Sequence, residues 1–256
     1  MGLVYGINSV QEALKAQGRS FQYVAVARER NDHRVHDVVK QCRERGVPVR
    51  QLPREELTRL AQTAQHQGVV AITSEKQYVE LEEILAKRRG KHGFLLVLDG
   101  VEDPHNLGAI LRSADGAGAD GVVIPERRAV GVTATVAKAS AGASEHLAIA
   151  RVTNINRTLE ELKARNLWIV GLDERADQSY DELDYNMDCA LVVGAEGDGL
   201  HELVRRNCDF LVKIPMLGQV PSLNVSVAAA TVMFELARQR RHKRHSKTRA
   251  EAPVKL

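Results

Sequence analysis

Three short stretches of this 256-residue chain gather residue types that can do chemistry. In DGVEDPHNLGAILRSAD (99–115), Glu102, Asp103, His105 and Asn106 follow an apolar run, and Arg112 lies almost two turns into a helix of small and apolar residues. Such groups can hold an anion or help a hydroxyl lose its proton. The neighbours Ile110, Leu111 and Ala114 predict a partly buried guanidinium with an anionic partner. Asp115, three residues on, could be that partner and would make the arginine structural. A snorkelling, solvated arginine is the third reading.

GAEGDG (194–199) lies between a strand and a helix. It is neither the G-x-G-x-x-G dinucleotide fingerprint nor a P-loop. Its glycines would let backbone approach a flat ligand, or simply make a tight turn. Glu196 could accept a hydrogen bond from a ligand or favour the helix that follows. IPMLGQVPSLNVSVA (214–228) places Pro215, Gly218 and Pro221 in a stiff loop, then delivers Ser222, Asn224 and Ser226 at the start of an apolar helix. Helix capping accounts for Ser222, with Asn224 as a second capping group, but accounts less well for all three.

Other chemistries find little support. Cys42, Cys189 and Cys208 form no C-x-x-C pair or metal spacing. His33 and His36 are a turn apart without a third ligand, so no metal is expected. Aromatics, at 4%, are too few for base-stacking sheets of the RNA-recognition or OB type.

The elements that must carry these stretches alternate. Residues 1–75 read as a small α/β domain: a helix at 8–16 with Ser9 and Glu12 in capping-box spacing, strands at 21–28, from 47 and at 69–73, and helices at 33–45 and 53–60. Residues 76–92 are polar and Gly-terminated, and read as a linker with one short helix. From Phe94 the pattern restarts. Strands are expected at 94–99, 121–125, near 147–151, and at 167–172, 189–194 and 209–215. Helices are expected at 106–118, near 134–141, and at 155–165, 200–206 and 222–240, the last opened by a Ser222 cap. Alternation of this kind implies an α/β fold with a parallel sheet covered on both faces. Ligands then bind beyond the carboxyl ends of the strands, which is where 99–106, 125–132, 194–199 and 215–224 fall.

An apolar share of 44% and a charged share of 27% exclude a disordered, collagenous or disulfide-framework chain. No apolar run reaches the ~18 residues of a membrane span, no secretory signal is evident, and Gly6 stands where a myristoylation motif needs Ser or Thr. A reducing cytoplasm is the expected setting. The net charge of +3 is unevenly divided: +3 over 1–75, +2 over 76–92, −9 over 93–237 and +7 over 238–256. An acidic body with basic ends hints at a polyanionic partner, against the plain alternative of a solubilising tail.

Taken together, N-L-G-x-x-x-R-S-A-D (106–115), L-V-V-G-A-E-G-x-G-L (191–200) and I-P-M-x-G-x-x-x-S-L-N-V-S-V-A (214–228) resemble, in order and spacing, the three motifs of the SpoU/TrmH family. These are S-adenosyl-L-methionine-dependent RNA ribose 2′-O-methyltransferases of the SPOUT superfamily. The likeness covers 93–241. YGINSVQEAL and HQGVVA, within 1–75, resemble the L30e-like RNA substrate-binding domain of the branch that methylates a guanosine of 23S rRNA. The basic tail, 242–256, is longer than the pattern requires.

The resemblance implies a deep trefoil knot, a homodimer built on the final helix, and no metal or membrane. It implies S-adenosyl-L-methionine held by Gly194, Glu196, Gly199, Ile214, Met216, Gly218 and Leu223. The catalytic set it implies is Arg112, Asn106, Glu196, Ser222 and Asn224, Arg112 matching the family's proposed catalytic arginine. A guanidinium is a poor base, so Arg112 is expected to grip an RNA phosphate beside the target hydroxyl, with Asn106 orienting it and Ser222 and Asn224 positioning the ribose and the loops. The alternatives are a tRNA or another rRNA nucleoside as target, as in antibiotic-resistance enzymes, or a non-catalytic RNA-binding protein of ribosome assembly.

Overall fold

The computed structural model describes residues 2–16, 18–30, 32–87 and 89–250, with side chains described as far as 241. In chain order the elements are β1 (Gly2–Tyr5), α1 (Ile7–Lys15), β2 (Phe21–Ala27), α2 (His33–Glu44), β3 (Val49–Leu52), α3 (Arg54–Ala61), β4 (Val69–Thr73), α4 (Leu81–Ala86), β5 (Phe94–Asp99), α5 (Pro104–Ala117) and β6 (Gly121–Pro125). There follow α6 (Ala134–Ala139), β7 (Ile149–Val152), α7 (Ile155–Ala164), β8 (Trp168–Leu172), β9 (Gln178–Ser179), β10 (Cys189–Gly194), α8 (Glu202–Arg206), β11 (Phe210–Lys213) and α9 (Val225–Ala250). They divide into two compact units. Described residues of Met1–Tyr78, Glu102–Arg112 and Val130–Leu147 form the first; those of Val79–Val101, Ser113–Ala129 and Ala148–Leu256 form the second.

The first unit is built on a sheet of order β1-β4-β2-β3. β1 and β2 run antiparallel to β4, and β3 runs parallel to β2. One face packs Val24, Val26, Val69 and Ala71 against Val10 and Leu14 of α1 and Val35, Val38 and Cys42 of α2. The other packs Ala25, Val70 and Ile72 against Leu57 and Ala61 of α3. Each Leu, Val or Ile sealed in this way contributes about 1.5–3 kcal/mol. Helix α2 starts at Asp32, whose carboxylate accepts from the Arg34 and Val35 amides.

Two expectations are corrected here. The sheet has a further strand, β1: its four residues GLVY lead straight into a helix, and only pairing with β4 (Leu3 opposite Ile72) defines them as a strand. There is no capping box at Ser9. Helix α1 opens at Gly6, with φ 89°, and Ser9 is buried, its hydroxyl donating to the Ala137 carbonyl at 3.0 Å.

The second unit carries a sheet of order β7-β6-β5-β10-β8-β11-β9, parallel throughout. Every residue of the central strands β5 and β10 is buried, as expected of parallel strands covered on both faces. One face packs Leu95, Val97, Ile169, Ala190 and Val192 against Leu159 and Leu162 of α7 and Val204 of α8. Helix α9 is fastened past its midpoint by Arg240, whose guanidinium donates to the carbonyls of His92, Gly93, Tyr185 and Met187 at 2.7–3.1 Å. The α9 backbone continues to Ala250. The side chains of 242–250 and all of 251–256, which make up the basic tail, lie outside what is described. The two-residue strand β9 was not anticipated, since it is defined only by pairing with Val212 and Lys213.

Candidate active site

At the carboxyl end of the parallel sheet, β10 stops at Gly194, directly opposite Asp99 at the end of β5. The 194–199 loop closes on itself: the Ala195 and Gly199 amides each donate to the other's carbonyl, at 3.0 and 3.1 Å. A Cβ at Gly194 would sit 2.1 Å from the Gly199 backbone, and Gly197 and Gly199 have positive φ. The glycines are therefore required by the loop's own geometry. The turn leaves Glu196 exposed at its tip.

Asp99 is a feature that sequence reasoning missed. It is buried, and its carboxylate accepts from the His201 amide at 2.9 Å and lies 3.0 Å from His201 Nδ1. It thereby pins the point where the glycine loop re-enters helix. The available signal was a single carboxylate closing an otherwise apolar buried strand. Asp173, just beyond β8, does similar work. It accepts from the Arg175 amide and guanidinium and from Arg205 Nε, at 2.8–3.1 Å. Burial works to raise its carboxyl, but the hydrogen bonds and charge of Arg175, with that of Arg205, hold it below the ordinary range.

From β11 the chain passes through half-buried Ile214 into an exposed loop, 215–224. Met216 and Leu223 are 37% and 39% exposed, Leu217 is fully exposed, and Gly218 and Ser222 lie in the same stretch. Helix α9 begins only at Val225, so the Ser222 cap is corrected to Asn224. The Asn224 side-chain oxygen accepts from the Ser226 amide at 2.9 Å and hydroxyl at 2.6 Å, and its carbonyl accepts from the Val227 and Ala228 amides. Its Nδ2 donates to Glu196 Oε1 at 3.3 Å. Two segments 28 residues apart in sequence are thus joined by the two polar residues singled out in them.

Asn106 and Arg112 lie on α5, in the first unit. Asp103 opens that helix, accepting from the His105 amide at 3.3 Å and the Asn106 amide at 3.0 Å. Arg112 is exposed, which overturns the expected partly buried guanidinium: the apolar neighbours at 110, 111 and 114 point to the core, and position 112 lies off that face. Asp115 instead stands 3.4 Å from Arg89. Asn106 is buried. Six residues along a helix means about 9 Å of rise and a turn of about 120° between Asn106 and Arg112. Among the described residues no cluster of His, Cys, Asp and Glu is spaced to hold a metal ion, and no helix is long and apolar enough to cross a membrane.

Comparison with known proteins places this arrangement. Residues 93–234 match the SpoU rRNA Methylase family, and residues 3–79 match the family described as RNA 2′-O ribose methyltransferase substrate binding. A candidate tRNA/rRNA methyltransferase of the TrmH family from Bacillus subtilis, YacO, is 46% identical over 93% of this chain and 95% of its own. The SpoU methyltransferase AviRb from Streptomyces viridochromogenes, solved with AdoMet, superimposes with a TM-score of 0.78 at 26% identity, covering 94% of this chain and 90% of AviRb. An AdoMet-bound rRNA methyltransferase from Sinorhizobium meliloti gives a TM-score of 0.76 at 25% identity over 93% and 87%. Motifs, fold and relatives agree, and the chain belongs to the SpoU rRNA methylase family, the RNA ribose methyltransferases that draw their methyl group from S-adenosylmethionine.

Proposed function

We propose that this protein methylates the 2′-hydroxyl of a guanosine in 23S rRNA, working as a cytoplasmic homodimer. In this reading residues 1–75 hold the RNA, 76–92 link, 93–241 catalyse and 242–256 add affinity for the polyanion. The observation that carries it is the Asn224–Glu196 hydrogen bond, which ties the glycine loop to the Pro215–Pro221 loop.

The residues present suit an adenosyl ligand. Ile214, Met216 and Leu223 offer apolar surface for a purine, left half-buried or exposed on the chain itself. Gly218 leaves open backbone for its edge, Gly194 and Gly199 shape the loop beside it, and Glu196 supplies an acceptor there. S-adenosylmethionine, when bound, supplies a methyl group activated by a sulfonium. The trefoil knot implied by the motifs belongs to the same proposal, with 194–199 and 214–224 as its ligand loops.

The chain's own task is to position the ribose and help its hydroxyl lose a proton. A guanidinium offers donors and no acceptor, so Arg112 is not the base. Exposed on α5, it is placed to grip a phosphate next to the target ribose, favouring the alkoxide while the proton passes to phosphate or solvent. Asn106 orients Arg112, Asn224 and Glu196 hold the loops, and Ser222 positions the ribose. Dimerisation is supported by α9, which buries Val232, Met233 and Leu236 yet leaves Val227 and Phe234 about half exposed.

The match to the SpoU rRNA Methylase model and the likeness to an rRNA methyltransferase favour rRNA. The B. subtilis relative's description includes tRNA, which is the second reading. Nucleotide-resolution mapping of 2′-O-methylation in rRNA and tRNA, from cells with and without the gene, tests both. One guanosine of 23S rRNA losing its methyl group is the expected result; a lost tRNA methylation would replace the target.

A further inference from the structure

The first unit contains an ion pair with no part in the reaction described above. Arg19 Nε and Nη2 donate to the two carboxylate oxygens of Glu145 at 2.8 and 3.0 Å, with side chains only 4% and 1% exposed. The third donor, Nη1, reaches the Ser74 carbonyl at 3.0 Å. Lys76 Nζ donates to the Glu145 and Leu147 carbonyls, and the Val132 amide donates to the Tyr78 hydroxyl. Arg19, Ser74, Lys76 and Tyr78 belong to the stretch that matches the substrate-binding model; Val132, Glu145 and Leu147 belong to the methylase match.

The seam continues to the helix that carries Arg112. Ser9 donates to the Ala137 carbonyl at 3.0 Å, and the Ser140 hydroxyl donates to the same carbonyl at 3.1 Å. Helix α5 packs on this point at Gly108, where a Cβ would lie 2.4 Å from Ala139 Cβ and 2.9 Å from the Ser140 amide nitrogen. Residues 102–112 therefore belong to the same compact unit as the N-terminal sheet. A buried, bidentate pair is directional, and its best-attested use is to fix register.

We infer that Arg19 and Glu145 are positioning residues that hold the Arg112-bearing half of α5 at a set distance from the RNA-binding surface, so that the enzyme selects its ribose by measuring from the RNA element its N-terminal domain holds. This rests on the proposed roles of Arg112 and of residues 1–75.

The test uses the full chain, deproteinised rRNA from cells lacking the gene, and a double variant, Arg19→Met with Glu145→Met, which removes both charges of the pair together and leaves the Lys76 ammonium on its two backbone carbonyls. The expected result is unchanged S-adenosylmethionine affinity by calorimetry, an RNA KM within about twofold of wild type, kcat lowered about tenfold, and methyl groups appearing on riboses neighbouring the target. Arg19→Lys, which keeps the charge but not the fork, should fall between. A folded double variant with wild-type kcat and a single methylated site overturns the inference. If the double variant does not fold, Arg19→Lys decides by the same kcat and map. If the wild type transfers no methyl group to this RNA, the target assignment has failed. The inference is then decided by hydrogen exchange, which needs no substrate: faster exchange confined to the 107–112 amides in the variants supports it, and exchange identical to wild type overturns it.

Discussion

Asn224 serves two structures with one side chain: its oxygen caps α9 through Ser226, and its nitrogen holds Glu196 at 3.3 Å. Replacing it with Ala should lower stability by about 1 kcal/mol through the missing cap and should also weaken donor binding. Glu196→Ala should weaken donor binding without the cap penalty, and Glu196→Gln, which retains an acceptor, should be milder. Thermal unfolding and calorimetric titration with S-adenosylmethionine separate the two effects. Equal donor affinity in all three variants would remove the loops from the ligand site.

Arg112 is exposed, so Arg112→Ala should change stability by less than about 0.5 kcal/mol. Turnover should fall on the order of a hundredfold or more, the scale of losing one donor at a reacting centre, with donor affinity intact. Single-turnover methylation checks this; wild-type turnover would show the assignment to be wrong.

Gly108→Ala opposes two effects. Ala in a helix gains about 1 kcal/mol over Gly, but here its Cβ would press to 2.4 Å from Ala139 Cβ. Neither neighbour is the far end of a flexible side chain, so strain should win, at about 1–3 kcal/mol. Both melting temperature and methylation rate should drop. A raised melting temperature would mean that α5 can shift freely at this point.

Arg238 is paired with Glu235 and Arg240 is spent on backbone carbonyls, so the basic segment's remaining charge begins near Arg241. Ending the chain there removes Lys243, Arg244, Lys247, Arg249 and Lys255. RNA affinity should weaken and its salt dependence flatten, by about 0.7–0.9 in logarithmic slope for each phosphate that is no longer neutralised. Donor binding should not change. Filter binding across a salt series is the measurement, and an unchanged slope would leave the tail without a role in RNA binding.

Burial pushes the thiols of Cys42 and Cys189 up to about 11 and that of Cys208 to about 12. They should stay protonated and resist alkylation at about pH 8 until the protein unfolds. The sign for stability follows. Unfolded thiols ionise at ~8.5, so above that pH the native state holds more protons and stability falls as pH rises. Alkylation of the native protein as fast as in denaturant would contradict this.

The sequence by itself determined most elements and the order of the chemistry, because strand period, buried apolar runs and Gly and Pro punctuation are local signals. FLLVLD reads as a parallel strand buried on both faces and CALVVG as a strand, and the three motifs identified the family. What it left open depended on partners distant in the chain. GLVY becomes a strand only opposite β4. Ser9 turns from helix cap to buried donor because Ala137 arrives 128 residues later. The cap of α9 is Asn224 because Glu196 and Ser226 hold it there. Arg112 faces solvent because packing, not its neighbours' hydropathy, sets the rotation of α5. The Arg19–Glu145 pair carries no local pattern at all, and Asp99 carries only that of one carboxylate closing an apolar strand. Their roles exist only where folding removes water from a charge and requires a partner for it, and only the tertiary structure decides which residue that partner is.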